Sequence, residues 1–102
     1  MTRTITISPD AEQDIEEHWI YGYRRFGRQQ ADHYMQFLYT LFYRLADQNI
    51  GRKRADIGHD IFSIPCKQHM VFYRIAPDKL IIVRVLHHSR DVTHHQHWTL
   101  FF

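Results

Sequence analysis

The chain has 102 residues, 44% of them hydrophobic and 24% charged, the balance of a protein that folds around one modest core and not of a disordered tail. Its 13 basic residues stand against 11 acidic ones, a formal net charge of +2, so a nucleic-acid role would require basic groups clustered on one face. Cys66 is the only cysteine, which excludes an internal disulfide and suits a reducing compartment. No run approaches the ~18 apolar residues of a membrane span, and the opening MTRTITISPD lacks the apolar centre of a secretory signal. The expectation is a cytoplasmic protein with a single domain over residues 1–102, since no repeat or linker offers a place to divide it.

In chain order, RTITIS alternates Arg3, Thr4 and Thr6 with Ile5 and Ile7, which predicts a first strand with one buried face. SPDAE predicts a helix start: the Ser8 hydroxyl can take an orphan amide, Pro9 fits the first helical position, and Asp10 and Glu12 lie at the positive end of the dipole. Ala11, Ile15, Trp19, Gly22 and Phe26 then recur at helical spacing until Gly27 supplies the stop. A second helix is expected at once, with Ala31, Tyr34, Met35, Leu38, Leu41, Phe42 and Leu45 on one stripe, so that the two form an antiparallel hairpin. Phe37, Tyr39 and Tyr43 fall off that stripe and form an aromatic surface that a sheet edge or a partner has to cover.

From Ala46 to His59 the helical pattern stops, and Gly51, Arg52, Lys53, Arg54 and Gly58 predict a mobile basic loop. Three strands follow, over 60–65, 69–75 and 80–87. A two-residue turn at Pro77 and Asp78 pairs Ile75 with Leu80 and so on outward. That register puts Met70, Phe72, Arg74, Ile81, Val83, Val85 and His87 on one face, and Val71, Tyr73, Ile75, Leu80, Ile82, Arg84 and Leu86 on the other. Both faces are mostly apolar, so helices covering one leave the other for a tail or a partner. The expected fold is α+β: an N-terminal strand, then a helical hairpin packed on a small, mostly antiparallel four-stranded sheet, then a short C-terminal helical turn.

This order of elements, together with SPDAEQDIEE, FGRQQADHYMQFLYTLFYRLA, GRKRAD and above all IIVRVLHHSRDVTHH, resembles the ParE branch of the RelE/ParE toxin superfamily over nearly the whole chain. The resemblance implies the toxin of a type II toxin–antitoxin module, neutralised by a cognate antitoxin and acting on DNA gyrase. Relatives of RelE type instead cut messenger RNA on the ribosome, and a degenerate, non-toxic antitoxin-binding member is a third reading. The fold does not choose among them.

RNA cleavage needs an acid, a base and clustered cations at the phosphate. His87 is the candidate acid or base. The register gives it Met70 as its face-mate, which can neither move a proton nor hold a phosphate, with Arg74 further along. His87 is therefore read as a strand-end histidine bonded to backbone, and catalysis is not favoured. Arg84, among apolar neighbours, calls for a carboxylate, Asp91 or Asp60, while Arg90 and Asp91 fix the exit of the last strand and cap the following turn. Those three form a fold seam. His94 and His97 are spaced to share a helical face, with His87, His88 and His95 close in sequence, but no carboxylate or thiolate stands at a recognised spacing among them, so neither metal nor cofactor is expected. Arg52, Lys53 and Arg54, extended by Arg24, Arg25 and Arg28, are the candidate target-binding residues, with a solvated charge run as the alternative. Trp98, Leu100, Phe101 and Phe102 would each forgo roughly 1.5–3 kcal/mol if left in water. They are expected in a surface shared with the antitoxin or a second toxin chain, as are Phe37, Tyr39 and Tyr43.

Overall fold

The computed structural model describes residues 2–87. Strand β1 (Thr4–Ile7) leads through Ser8 into α1 (Pro9–Phe26), Gly27 connects directly to α2 (Arg28–Asp47), and β2 (Arg52–Lys53), β3 (Phe62–Cys66), β4 (His69–Ile75) and β5 (Lys79–His87) complete the order. The sheet is ordered β1-β5-β4-β3-β2, with β1 parallel to β5 and the remaining neighbours antiparallel. It therefore has five strands and not four. The additional one is Arg52–Lys53, two residues of the expected basic loop, which two residues of alternating pattern could not announce.

Ser8 joins the start of α1 to the sheet. Its hydroxyl accepts the Ala11 amide at 3.0 Å and donates to the Val83 carbonyl at 2.8 Å, so one side chain caps the helix and holds β5. Gly27 ends α1 at φ 93°, ψ 169°, a region open essentially only to glycine; its amide bonds the Tyr23 carbonyl and its carbonyl accepts the Ala31 amide, closing one helix and opening the next. The α1 stripe does not stay buried to its end. Ala11 and Ile15 are in the core, but Phe26, at the tip of the hairpin, is 58% exposed.

The main core lies between the hairpin and the sheet, with Leu38, Leu41, Phe42 and Leu45 packed on Val71, Tyr73, Leu80, Ile82 and Val85. A smaller one lies on the far face, where Phe72, Val83 and Leu86 pack with Ile57 and Ile61 from the segment between β2 and β3. Arg54 closes that segment: its amide donates to the Ile61 carbonyl at 2.7 Å.

The β4–β5 register follows the expected pairing from Ile75–Leu80 through Tyr73–Ile82 and then breaks at a bulge, after which Phe72 pairs with Arg84, Val71 with Val85 and His69 with His87. One extra residue on β5 reverses every side chain beyond it. Val85 thus belongs to the helix-side core and Leu86 to the far one, opposite to the sequence expectation. The same shift gives His87 a new neighbour, His69 in place of Met70.

Candidate functional site

β5 spans nine residues and β1 only four, so their pairing stops at Ile7–Ile82. Past that point the β5 edge still presents backbone groups that need partners, and α1 supplies them from its side chains. Ser8 takes the Val83 carbonyl, Asp14 accepts the Val85 amide at 3.0 Å, and His18 Nε2 donates to the Val85 carbonyl at 2.6 Å. Asp14 and His18 are four residues apart, on one side of the helix. Asp14 also receives the Arg84 guanidinium in two bonds, Nε at 2.7 Å and Nη2 at 2.9 Å. The carboxylate partner of Arg84 is therefore Asp14, neither Asp60, which adopts a left-handed φ of 67° just before β3, nor Asp91. Arg90 and Asp91 lie outside the described residues, as do His88, His94, His95, His97, Trp98, Leu100, Phe101 and Phe102 and the expected helical turn.

Next to this seam the bulge assembles a cluster that the sequence reading missed. The His18 and His69 rings lie 3.8 Å apart between centroids, and His69 meets His87 edge-on at 5.7 Å. Tyr34 oxygen is 2.6 Å from His69 Nδ1. Burial pushes the Tyr34 phenol far above its ordinary value, with neighbouring Cys66 adding to the shift, so Tyr34 keeps its proton and donates it to the His69 tautomer whose Nδ1 is free to accept. The cluster borders a cleft of about 210 Å³ between the hairpin tip and the β3–β4 turn, lined among others by Tyr21, Phe26, His33, Lys67 and Gln68. Lys67 is the one Lys or Arg in that lining, and its ammonium sits 4.6 Å over the Phe37 ring. The imidazoles lie together, but the clustered cations that a phosphate requires are elsewhere. Among the described residues no group of three or more His, Cys, Asp or Glu is placed to hold a metal ion. The signal that could have located this site was Asp14 and His18 at helical spacing beside the buried stripe.

The candidate target-binding residues form two groups. Arg52 and Lys53 are exposed on β2 and paired with Ser63 and Phe62 at the start of β3. Arg24, Arg25 and Arg28 are exposed at the hairpin tip, Arg28 within 3.6 Å of Asp32. That tip shares a cleft with the turn after Cys66, whereas Arg52 and Lys53 pair with the start of β3, so the two groups lie toward opposite ends of that strand. Arg54 is different. Its side chain is 12% exposed, paired with Asp56 at 2.8 Å, bonded to the Ser63 hydroxyl and laid 5.6 Å over the Phe72 ring. It is a clamp, not a free contact. The expected mobile loop is thus a strand with a buried anchor.

Phe37, Tyr39 and Tyr43 are all exposed, but not on one face. Phe37 meets Lys67 of the β3–β4 turn, whereas Tyr39 lies near Glu12 and Tyr43, and burial with those neighbours raises its phenol.

A family model described as "ParE toxin of type II toxin-antitoxin system, parDE" matches residues 5–92. This chain belongs to the ParE toxin family. It is similar to the protein named Toxin ParE1 of Mycobacterium tuberculosis, 34% identical over 94 residues that cover 90% of this chain and 96% of the relative. It is also similar to Toxin ParE1 of Caulobacter vibrioides, 28% identical over 90 residues, 87% of this chain and 93% of that one. Two solved structures share the fold. The chromosomal ParDE system of P. aeruginosa superposes with a TM-score of 0.72 at 13% identity, over 84% of this chain and 96% of that one. The RelBE2 toxin–antitoxin complex of M. tuberculosis superposes at 0.58 and 18% identity, over 85% and 99%.

Two buried acids, Tyr73 and Cys66, and the half-buried Tyr34 ionise late. Burial raises Tyr34, Tyr73 and the Cys66 thiol above their ordinary values. In the unfolded chain they ionise near about 8.5 for the thiol and about 10 for the phenols, so above those values the unfolded state holds fewer protons than the folded one. Stability is then fully present below about pH 8.5 and falls as pH rises further. Urea midpoints measured from pH 7 to pH 10.5 should decline, and Tyr73→Phe should flatten the upper part of that slope; a midpoint constant to pH 10.5 contradicts the account.

Proposed function

We propose that this ParE toxin inhibits DNA gyrase by protein–protein contact, without catalysis of its own, in the cytoplasm, and that a cognate antitoxin neutralises it. Family membership across residues 5–92 carries the reading. The helices support the location only in that, among the described residues, none is long and apolar enough to cross a membrane. Exposed Phe37, Tyr39, Tyr43 and the aromatics at the hairpin tip supply apolar surface for an antitoxin. Arg52 and Lys53 supply a fixed cationic contact for the target, and Arg24, Arg25 and Arg28 a second one.

One observation keeps the ribosome-dependent endoribonuclease as a second reading, the adjacency of His69 and His87. Purified toxin assayed for gyrase supercoiling and for cleavage of translated transcripts separates the two. We expect loss of supercoiling with intact transcripts, and His87→Ala to leave that inhibition unchanged. Cut transcripts that become whole with folded His87→Ala would establish the nuclease, and neither activity would establish a non-toxic antitoxin-binding protein. Arg52→Ala/Lys53→Ala should abolish inhibition with no fall in melting temperature. Arg54→Ala should lower stability by about 1–3 kcal/mol, since it takes a donor from the buried Ser63 hydroxyl and uncovers the Phe72 ring, and so belongs outside that test.

A further inference from the structure

The segment that carries Arg52 and Lys53 is not held to the protein by burial. Asn49 and Ile50 are exposed, and so are Arg52 and Lys53 themselves. It is held by its two-residue pairing with β3 and by polar bonds at its two ends. At one end the Arg54 amide reaches the Ile61 carbonyl and its side chain grips Asp56 and Ser63. At the other, before the pairing with β3 begins, a single core residue ties down Asn49 and Gly51. The Tyr73 hydroxyl accepts the Gly51 amide at 2.8 Å and donates to Asn49 Oδ1 at 2.7 Å.

Tyr73 is fully buried on β4, its ring stacked 5.6 Å from Phe62. Packing alone would accept phenylalanine there; the hydroxyl is what reaches the segment. Gly51 gives a second, independent sign of how close the approach is. A Cβ at that position would overlap the Tyr73 hydroxyl and lie 2.8 Å from the Ser63 carbonyl oxygen, so only a residue without a side chain lets the backbone settle against the sheet.

We propose that Tyr73 is a positioning residue for target recognition, its hydroxyl fixing residues 49–53 so that Arg52 and Lys53 are presented on a rigid edge strand instead of a mobile loop. This rests on reading Arg52 and Lys53 as target contacts. The physical gain is preorganisation: side chains already ordered in the free toxin lose less freedom on binding.

The test uses the full chain with three variants, Tyr73→Phe, Asn49→Ala and Arg52→Ala/Lys53→Ala. Each is measured for the concentration that halves gyrase supercoiling, normalised to the folded fraction, and for amide hydrogen exchange at Arg54, whose bond to Ile61 is untouched by the substitutions. Tyr73→Phe is expected to remain folded, to quicken exchange at Arg54, and to raise the half-inhibiting concentration roughly tenfold; Asn49→Ala should move both in the same direction without altering the core. A purely structural hydroxyl would lower the melting temperature but leave inhibition per folded molecule unchanged. Unaltered exchange in Tyr73→Phe overturns the inference, as does full potency of Tyr73→Phe beside an inactive Arg52→Ala/Lys53→Ala. If the native toxin does not inhibit, or Arg52→Ala/Lys53→Ala inhibits as well as the native toxin, the reading of the basic strand falls, and the inference with it.

Discussion

Asp14→Ala is expected to lower the unfolding free energy by about 3–5 kcal/mol, a large share of what a chain of this size has. The carboxylate is buried and meets three donors at once, two from the Arg84 guanidinium and one from the Val85 amide. Removing it leaves a part-buried cation facing a void and an amide on the β5 edge with no acceptor. The cost is that of uncompensated groups; it does not measure how much the pair adds over an apolar replacement of both partners. The hydrogen bond to Asp14 is the main reason Arg84 holds its proton more tightly than usual, with Asp10 and Glu17 adding to it; a guanidinium stays charged even without Asp14, so it is left exposed to that penalty. Asp14→Asn, which retains one acceptor oxygen, should fall between native and Asp14→Ala. Urea unfolding checks all three, and a loss under about 1 kcal/mol for Asp14→Ala would remove the seam from any account of stability.

The second large effect is expected at Phe42, which is fully buried between α2 and the sheet with the Tyr39 ring edge-on at 5.3 Å. Phe42→Ala should destabilise by about 3–5 kcal/mol through lost burial and the cavity that remains. Its neighbour in sequence gives the opposite result. Tyr43 is 66% exposed, so Tyr43→Ala should change stability by no more than about 0.5 kcal/mol while weakening antitoxin binding if that surface is where the antitoxin sits. Calorimetric titration with the antitoxin, beside the unfolding curve, reads both. A Tyr43→Ala protein that binds antitoxin as tightly as the native one takes Tyr43 out of the interface.

The sequence by itself determined what depends on neighbours a few residues apart. Ser8, Pro9, Asp10 and Glu12 set the start of α1 because capping is local chemistry, and Gly27 set its end because only glycine reaches that backbone geometry. Alternation and β-branching marked β1, β4 and β5, and the helical stripe from Ala31 to Leu45 marked α2, so the fold class was legible, as were the motifs that carry the ParE family. What the tertiary structure alone decided begins at the β4–β5 bulge. A single extra residue has no signature in an apolar run such as LIIVRVL, yet it moves Val85, Leu86 and His87 to the opposite faces and brings His87 beside His69. The Arg84 partner was unreadable for a related reason: burial says that a guanidinium needs a carboxylate, but which one depends on where β1 stops pairing with β5 and which side chains of α1 then face the vacated edge. Arg54 and Tyr73 are the same case, a basic residue that reads as solvated loop and a tyrosine that reads as core. Both act through polar bonds made across the sheet, and spacing along one chain cannot encode a contact whose geometry is set by two others.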